Sequence, residues 1–127
     1  MERTLKVSEE HIWVAEEDQH LLFGLTNYGQ SELGQVLSVD LPGVGENVEK
    51  GEPFAELESV ATVSELIAPA SGTVLAVNTE LETHPSLINE DPYNEGWLIE
   101  VRAKDRAEIE PLMDMDEYYH FVFKEKP

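Results

Sequence analysis

Short apolar runs separated by turn-forming residues are the feature that most restricts the fold of this chain. The runs at 12–15, 21–25 and 36–41 are each followed by polar residues, glycine or proline. Runs of this length, closed by turn signals, are typical of β-strands. Many short strands at regular spacing predict a mainly β, antiparallel sandwich or flattened barrel with a few short peripheral helices.

The first half of the chain reads as a hairpin, a short helix and a strand. Residues 16–19, with the sequence EEDQ, separate the apolar runs 12–15 and 21–25 and predict a hairpin. Thr26 is a plausible N-cap and Gly34 a plausible C-terminal stop, so a helix about two turns long is expected between them.

A second hairpin lies in the middle of the chain. Residues 42–53 are rich in glycine and proline and must turn at least twice. Strands are predicted at 54–59 and 62–68, and the turn 69–72 leads into another strand at 73–78. The tip between the first two of these strands is Ala61.

The last third combines a polar loop, one strand and a helical tail. Residues 79–95 predict a long surface loop with a helical turn near 85–87. The run 96–103 predicts a strand with Trp97, Ile99 and Val101 on one face.

The tail opens with Asp105 and Glu108, a variant of the capping box, and Pro111 predicts a break before a helix from Asp114 to Val122. Four aromatic residues of this helix are expected to pack it on the sheet: Tyr118, Tyr119, Phe121 and Phe123.

Composition predicts one soluble domain over residues 1–127. The chain is 41% hydrophobic and 28% charged, values typical of globular proteins. No apolar run approaches the ~20 residues of a membrane span, and the N-terminus lacks the pattern of a signal peptide. It contains no cysteine. These features predict a cytoplasmic protein without disulfides or thiolate metal sites.

The charge is strongly negative, with 27 acidic and 8 basic residues and a formal net charge of −19. Such a charge repels nucleic acid and anionic lipid, so neither is an expected partner. It can steer encounters with partners that carry basic patches, or it can simply keep a small protein soluble. Both interpretations stay open at this point.

No enzyme active site is apparent in the sequence. The histidines lack metal-ligand spacing, the GVG at 43–45 lacks the context of a dinucleotide site, and no serine has the context of a nucleophile elbow. Neighbouring carboxylates are expected by chance in so acidic a chain, so they are not evidence for a catalytic pair. We therefore predict a protein without catalytic residues or a metal site.

The stretch ESVATVSELIAPASGTVLAVN, residues 58–78, resembles the modification hairpin of the glycine cleavage system H protein family. In that family the usual run is E-S-V-K-A-x-S-D, followed by A-P-x-S-G and V-x-x-V-N. The resemblance covers essentially the whole chain, because further segments match family motifs in order: EEHIW (9–13), GLTNYGQSELG (24–34), VDLPGVG (39–45), LINEDPYNEGWLIEV (87–101) and DMDEYYHF (114–121).

The resemblance implies a lipoyl/biotinyl-type sandwich of two facing sheets and a carrier role. A lysine at the hairpin tip bears lipoate, attached by a lipoate ligase. The arm visits glycine decarboxylase (P protein), aminomethyltransferase (T protein) and dihydrolipoamide dehydrogenase (L protein). The family thus implies these four partners, and we expect a monomer.

This chain departs from the family at the position of the modified lysine. Ala61 takes that place, so no amide to lipoate can form there, and no cofactor is expected on this chain. The resemblance assigns the neighbourhood of the arm to Glu58, Ser59, Val60, Ser64, Glu65 and Ile12.

Ile12 replaces the glutamate of the family's E-H-E-W, which the resemblance implies helps to hold the loaded arm. Losing that carboxylate removes a charge-assisted hydrogen bond worth ~1.5–3 kcal/mol. A designer who replaced the lysine to test its role would have no reason to replace the glutamate at position 12 as well. A natural paralogue without lipoate is therefore favoured over a designed lysine replacement, a carrier with another attachment site, or an unrelated role on the same fold.

Overall fold

The fold alternates short strands with single helical turns, as seen in a computed structural model that describes residues 4–123. Within those residues no helix is long and apolar enough to cross a membrane. The strands are β1 Leu5–Val7, β2 Ile12–Glu17, β3 His20–Leu25, β4 Val36–Asp40, β5 Asn47–Val48, β6 Pro53–Ser59, β7 Val63–Ile67, β8 Gly72–Val77 and β9 Ile99–Ala103. The helices are α1 Asn27–Leu33, α2 Leu87–Glu90 and α3 Met115–Phe123, with 3₁₀ helices at Thr79–Glu82 and Arg106–Ile109.

Two antiparallel sheets form the architecture. One has six strands in the order β1-β2-β3-β9-β8-β5, and the other has three in the order β4-β6-β7. They share one apolar core, in which the rings of Phe23 and Phe54 meet edge to face at 5.7 Å. This confirms the predicted mainly β sandwich of facing sheets with short helices, although the sheets do not close into a barrel.

The first hairpin, β2–β3, is turned by two residues in the left-handed region. Asp18 has φ of 50° and Gln19 has φ of 71°, and Glu17 pairs with His20 across the turn. Two left-handed residues match the twist of a tight hairpin. The three-residue strand β1, which the sequence did not reveal, adds to the outer side of β2.

The strands β2 and β3 are buried on both faces. One face lies in the core between the sheets, and the other carries a second cluster that α3 covers. The fully or almost fully buried members of this second cluster are Val7, Trp13, Ala15, Leu22 and Tyr118. The first hairpin is therefore the centre of the packing.

Helix α1 has the predicted boundaries. The Thr26 side chain accepts a hydrogen bond from the Gly29 amide at 2.9 Å and so caps the helix start. Gly34 follows the helix with φ of 88°, a conformation that favours glycine.

The prediction of a surface loop for residues 79–95 is wrong in part. This segment contains a 3₁₀ helix and α2, and its residues Leu81 and Ile88 are 1% and 0% exposed. Each turn of helix places one isolated apolar side chain into the core, a pattern too sparse for periodicity to detect. Asn78 fixes the far end of the segment, because its Nδ2 donates to the carbonyl oxygens of Glu95 and Trp97, both at 2.8 Å.

The predicted common face is confirmed for Ile99 and Val101 but is wrong for Trp97. Strand β9 begins only at Ile99, which lies with Val101 in the core between the sheets. Trp97 packs against the second cluster instead. Residues before the strand do not follow its two-residue alternation, so the periodic pattern misplaced Trp97.

The tail forms the predicted final helix, but the capping box consists of other residues than those predicted. Asp105 caps its 3₁₀ helix through the Ala107 amide, whereas the Glu108 carboxylate accepts from the Ser71 amide at 2.7 Å. The reciprocal pair forms between Asp114 and Glu117, with N–O distances of 2.8 and 2.9 Å, directly before α3.

The aromatic residues of α3 divide into two groups. Tyr118 is fully buried and Phe121 packs partly on the second cluster, as predicted. Tyr119 and Phe123 are 47% and 49% exposed, so the packing prediction is wrong for them. Their rings stack on each other at 6.4 Å, and the Phe123 ring also meets the Tyr28 ring of α1 edge to face at 5.8 Å.

Candidate functional site

The hairpin β6–β7 presents the candidate site. Its pairing places Glu58 opposite Val63, Leu57 opposite Ser64 and Glu56 opposite Glu65. Side chains on β6 alternate between the core and solvent from Ala55 to the tip. The hairpin therefore fixes one end of each strand in the sandwich and leaves the turn at the edge.

Ser59 closes the turn with its backbone and its side chain. Its amide donates to the Thr62 carbonyl oxygen at 2.8 Å. Its Oγ accepts from the amides of Ala61 and Thr62 at 3.3 and 3.2 Å. Ser59 is only 5% exposed, whereas Ala61 is exposed. The turn thus has an internal hydrogen-bonded support and holds residue 61 in solvent, where a longer side chain would be accessible to another protein.

A second contact ties the tip to the chain before β4. The Val60 amide donates to the Gln35 carbonyl oxygen at 3.0 Å. Val60 itself is 63% exposed, and Val63 at the start of β7 and Leu37 on β4 are 58% and 48% exposed. The tip is consequently anchored through its backbone while its side chains form an apolar outer surface.

The other predicted site residues of the hairpin lie on both of its faces. Glu58 is exposed, and the Ser38 hydroxyl donates to its carboxylate at 3.4 Å. Ser64 is half-buried, and Glu65 is exposed next to Glu56. The hairpin thus brings together Glu58, Ser59, Val60, Ala61, Ser64 and Glu65 within one turn and its flanking strands.

Ile12 lies in the other sheet and is fully buried. It pairs with Leu25 at the start of the first hairpin, and its side chain belongs to the core between the sheets. A carboxylate at this position would need a hydrogen-bonding partner inside the core. The isoleucine fills the position with apolar volume.

The lysines of the described residues lie away from the tip. Lys50 precedes the opposite end of β6, and a seven-residue strand is about 20 Å long. Its Nζ donates to the Glu108 carbonyl oxygen at 3.0 Å, and the Nζ of Lys6 donates to the Leu112 carbonyl oxygen at 3.4 Å. Lys104 follows β9, and Lys124 and Lys126 lie outside the described residues.

A buried polar cluster joins the start of α1 to α3. The Tyr118 hydroxyl lies 2.7 Å from His11 Nδ1 and 2.8 Å from Thr26 Oγ1. Burial lowers the pKa of His11, although the nearby Glu10 and Glu32 oppose the shift. Burial also raises the pKa of Tyr118 to about 12, although its hydrogen bond with Thr26 opposes the shift. Sequence reasoning missed this cluster because His11 and Tyr118 are 107 positions apart.

The other histidines make separate local contacts. His20 Nδ1 lies 2.9 Å from the Glu100 carboxylate, His84 Nε2 lies 3.4 Å from that of Glu90, and His120 Nδ1 lies 2.9 Å from the Asp116 carbonyl oxygen. Among residues 4–123 no group of three or more His, Asp or Glu side chains is arranged to hold a metal ion.

Comparisons with known proteins identify the family of the chain. The family model described as Glycine cleavage H-protein matches residues 5–125. The chain belongs to the glycine cleavage H-protein family. The H protein of Halalkalibacterium halodurans is 49% identical over 121 residues, covering 95% of this chain and 94% of that protein.

Two further relatives extend the comparison to another genus and to a solved structure. The H protein of Brevibacillus brevis is 47% identical, covering 94% of this chain and 95% of that protein. The crystal structure of a glycine cleavage system H protein from Mycobacterium marinum matches with a TM-score of 0.86 at 35% identity, covering 96% and 98% of the two chains.

Family membership defines the general role of the chain. H proteins are non-catalytic components of the glycine cleavage system that carry lipoate covalently and work with its P, T and L proteins. This chain is accordingly an H-protein-like carrier component and not an enzyme.

Proposed function

We propose that this chain is a non-lipoylated paralogue of the H protein that binds glycine cleavage enzymes without carrying the aminomethyl group. The observation that carries the proposal is the exposed Ala61 at the tip of a well-formed hairpin. An alanine methyl offers no nucleophile, whereas the turn around it keeps the shape that presents a side chain to a second protein.

The surroundings of the tip support retained binding. The apolar side chains of Leu37, Val60 and Val63 are exposed, and exposed apolar groups beside a tip are suited to a protein interface. The net charge of −19 favours encounters with enzymes that carry basic patches. The partners would be the P, T and L proteins and a lipoate ligase, met in the cytoplasm by a monomeric chain.

The buried Ile12 supports a natural origin for the alanine. The resemblance places a glutamate at this position, and here it is an isoleucine embedded in the core. Two departures from the family pattern, one at the tip and one in the core, fit sequence divergence better than a single replacement of the lysine. The alternatives are a designed lysine replacement and a carrier that attaches its group elsewhere.

Intact mass tests whether the chain is modified. After co-expression with a lipoate ligase and lipoate, we expect the unmodified mass for the native chain. The Ala61→Lys variant should gain one lipoyl group, because it restores an amine at the exposed position. Ala61→Arg is the matched control, since it adds the same charge without an amine that a ligase can acylate. A lipoyl group on the native chain would contradict the proposal and favour attachment at another lysine.

Competition tests whether the chain still binds. Increasing amounts of the native chain should slow glycine decarboxylation supported by a lipoylated H protein, and the inhibition should weaken as salt rises. Failure to compete for the decarboxylase at any ratio would contradict binding without transfer.

A further inference from the structure

Asn89, in a segment that the sequence presents as a polar loop, joins the end of α1 to the start of β4. We propose that Asn89 is a positioning residue for the hairpin tip, because it holds residues 34–36, to which the tip is bound. This inference rests on the proposed function, in which partner enzymes contact the tip.

The Asn89 side chain uses both its donor and its acceptor atoms. Its Nδ2 donates to Gln30 Oε1 at 2.8 Å and to the Gly34 carbonyl oxygen at 3.0 Å. Its Oδ1 accepts from the Val36 amide at 2.9 Å. One side chain therefore binds the chain on both sides of Gln35.

The tip binds the same short segment from the other side. The Gln35 carbonyl oxygen accepts from the Val60 amide at 3.0 Å, and Val36 pairs with Ser59. The pairing of β4 with β6 is irregular immediately afterwards, between Val36 and Ser38. Because β4 is an edge strand of the three-stranded sheet, Asn89 supplies the Val36 amide with an acceptor that no neighbouring strand provides.

Helix α2 is itself firmly held, so Asn89 is presented from a fixed base. The adjacent Ile88 is fully buried in the core between the sheets. Gly96 approaches the helix so closely that a Cβ there would lie 2.6 Å from the Leu87 carbonyl oxygen. The path from the core to the tip thus runs from Ile88 through Asn89 and the segment 34–36.

Two substitutions of Asn89 probe its chemistry. Asn89→Ala removes its hydrogen bonds to Gln30, Gly34 and Val36. Asn89→Asp keeps the acceptor for the Val36 amide but sets a second carboxylate oxygen against the oxygens of Gln30 and Gly34. Both variants should loosen the segment 34–36. In Asn89→Asp, the retained acceptor for the Val36 amide should not be enough to hold that segment in place.

Asn78, which directly precedes the segment 79–95, offers a matched control. Its side chain also makes hydrogen bonds through both atoms, to the carbonyl oxygens of Glu95 and Trp97 and from the Glu80 amide. Asn78→Ala should therefore destabilise the fold to a similar degree. It lacks the link to residues 34–36, so the tip should keep its support.

Amide hydrogen exchange measured by NMR on the full chain is the first test. In Asn89→Ala and Asn89→Asp we expect the Val60 amide to exchange about tenfold faster relative to the amides of β2 and β3. In Asn78→Ala this ratio should stay that of the native chain. Equal acceleration in the Asn78 and Asn89 variants, or none at Val60, would overturn the proposal.

Lipoylation of the Ala61→Lys chain is the second test. Adding Asn89→Ala should lower kcat/KM of the ligase at least about fivefold, whereas adding Asn78→Ala should leave it unchanged. An unchanged kcat/KM with Asn89→Ala would overturn the positioning role. If Ala61→Lys alone is never modified, the proposed hairpin recognition fails, and the exchange data still decide whether Asn89 positions the tip.

Gln30→Ala is a milder variant for use if the Asn89 variants do not fold. It truncates the half-buried Gln30 side chain, which is one partner of Asn89, and leaves the hydrogen bond from Asn89 to the Gly34 carbonyl oxygen. The Val60 amide should then exchange about threefold faster relative to β2 and β3. Where no Asn89 variant folds, native exchange at Val60 in Gln30→Ala would overturn the proposal.

Discussion

The two hairpins β2–β3 and β6–β7 use the same antiparallel geometry for opposite purposes. In β2–β3 nearly every side chain is buried, because apolar clusters lie on both faces. In β6–β7 only one face is buried, and the other exposes carboxylates and the apolar tip. The first hairpin serves as scaffold, and the second presents a surface.

The difference shows which positions of this fold can change without loss of stability. Stability depends on packing around β2–β3, whereas the exposed residue 61 makes no contact on which the sandwich depends. Substitutions in β2–β3 should therefore cause large losses of stability, whereas substitutions at the exposed positions of β6–β7 should cause small ones.

Gly24→Ala should have the largest effect. An added Cβ would lie 2.3 Å from ring atoms of Trp13, which is fully buried and donates from Nε1 to the Pro92 carbonyl oxygen at 3.1 Å. Because neither the ring nor the strand can move freely, we expect a loss of about 3 kcal/mol in the free energy of unfolding, measured with urea.

Gly43→Ala is the control for this substitution. Its Cβ would meet only the flexible end of the Glu46 side chain, at 3.1 Å, so the change should stay within about 0.5 kcal/mol. Similar losses in both variants would show that β2–β3 is not the packing centre.

Tyr118→Phe should have the next largest effect. It removes the hydroxyl that contacts His11 and Thr26, with an expected cost of about 1–2 kcal/mol in the free energy of unfolding. Tyr119→Phe is the matched control, because Tyr119 is 47% exposed. A comparable loss in both variants would contradict a special role for the buried hydroxyl.

The same cluster predicts a dependence of stability on pH at both extremes. Since the pKa of His11 is lowered in the folded state, its contribution is present above about pH 6.5 and is lost as the pH falls. Since the pKa of Tyr118 is raised to about 12, its contribution is present below about pH 10 and is lost as the pH rises. Tyr118→Phe should remove the loss of stability at alkaline pH. An unchanged dependence of the free energy of unfolding on alkaline pH would contradict the assignment of this loss to Tyr118.

Sequence patterns predicted the two hairpins because each rests on local information. Alternating or continuous apolar runs with a short polar turn specify the strands, and Thr26 and Gly34 marked α1 correctly. The exposed position of Ala61 follows from the hairpin alone. These features need no knowledge of distant residues.

The support behind the site depends on distant contacts and could not be predicted. Asn89 lies 53 positions from Val36, and His11 lies 107 positions from Tyr118. Leu81 and Ile88 enter the core as single side chains within a polar segment, so no period marks them. Sequence reasoning therefore located the presenting turn and missed what holds it.

Glu56→Gln should raise stability slightly. Glu56 stands between Asp40 and Glu65 in adjacent strands of the exposed face, and like charges directly opposite are unfavourable. We expect a gain of about 0.5 kcal/mol in the free energy of unfolding at low salt that shrinks as salt rises. Glu58→Gln on the same strand is the control, because Ser38 and Val63 flank it. Equal gains in the two variants would point to the overall charge of the chain.

Ala61→Lys should have the smallest effect on stability, although it should have the largest effect on modification. Residue 61 is exposed, its backbone is not in the left-handed region, and its amide is held by Ser59 whatever side chain it carries. The free energy of unfolding should change by less than about 0.5 kcal/mol in urea titrations. Ser59→Ala, which removes the buried acceptor for the Ala61 and Thr62 amides, should cost about 1 kcal/mol. A large loss in Ala61→Lys would mean that the alanine itself stabilises the turn, and the shape of the hairpin would then depend on the identity of residue 61.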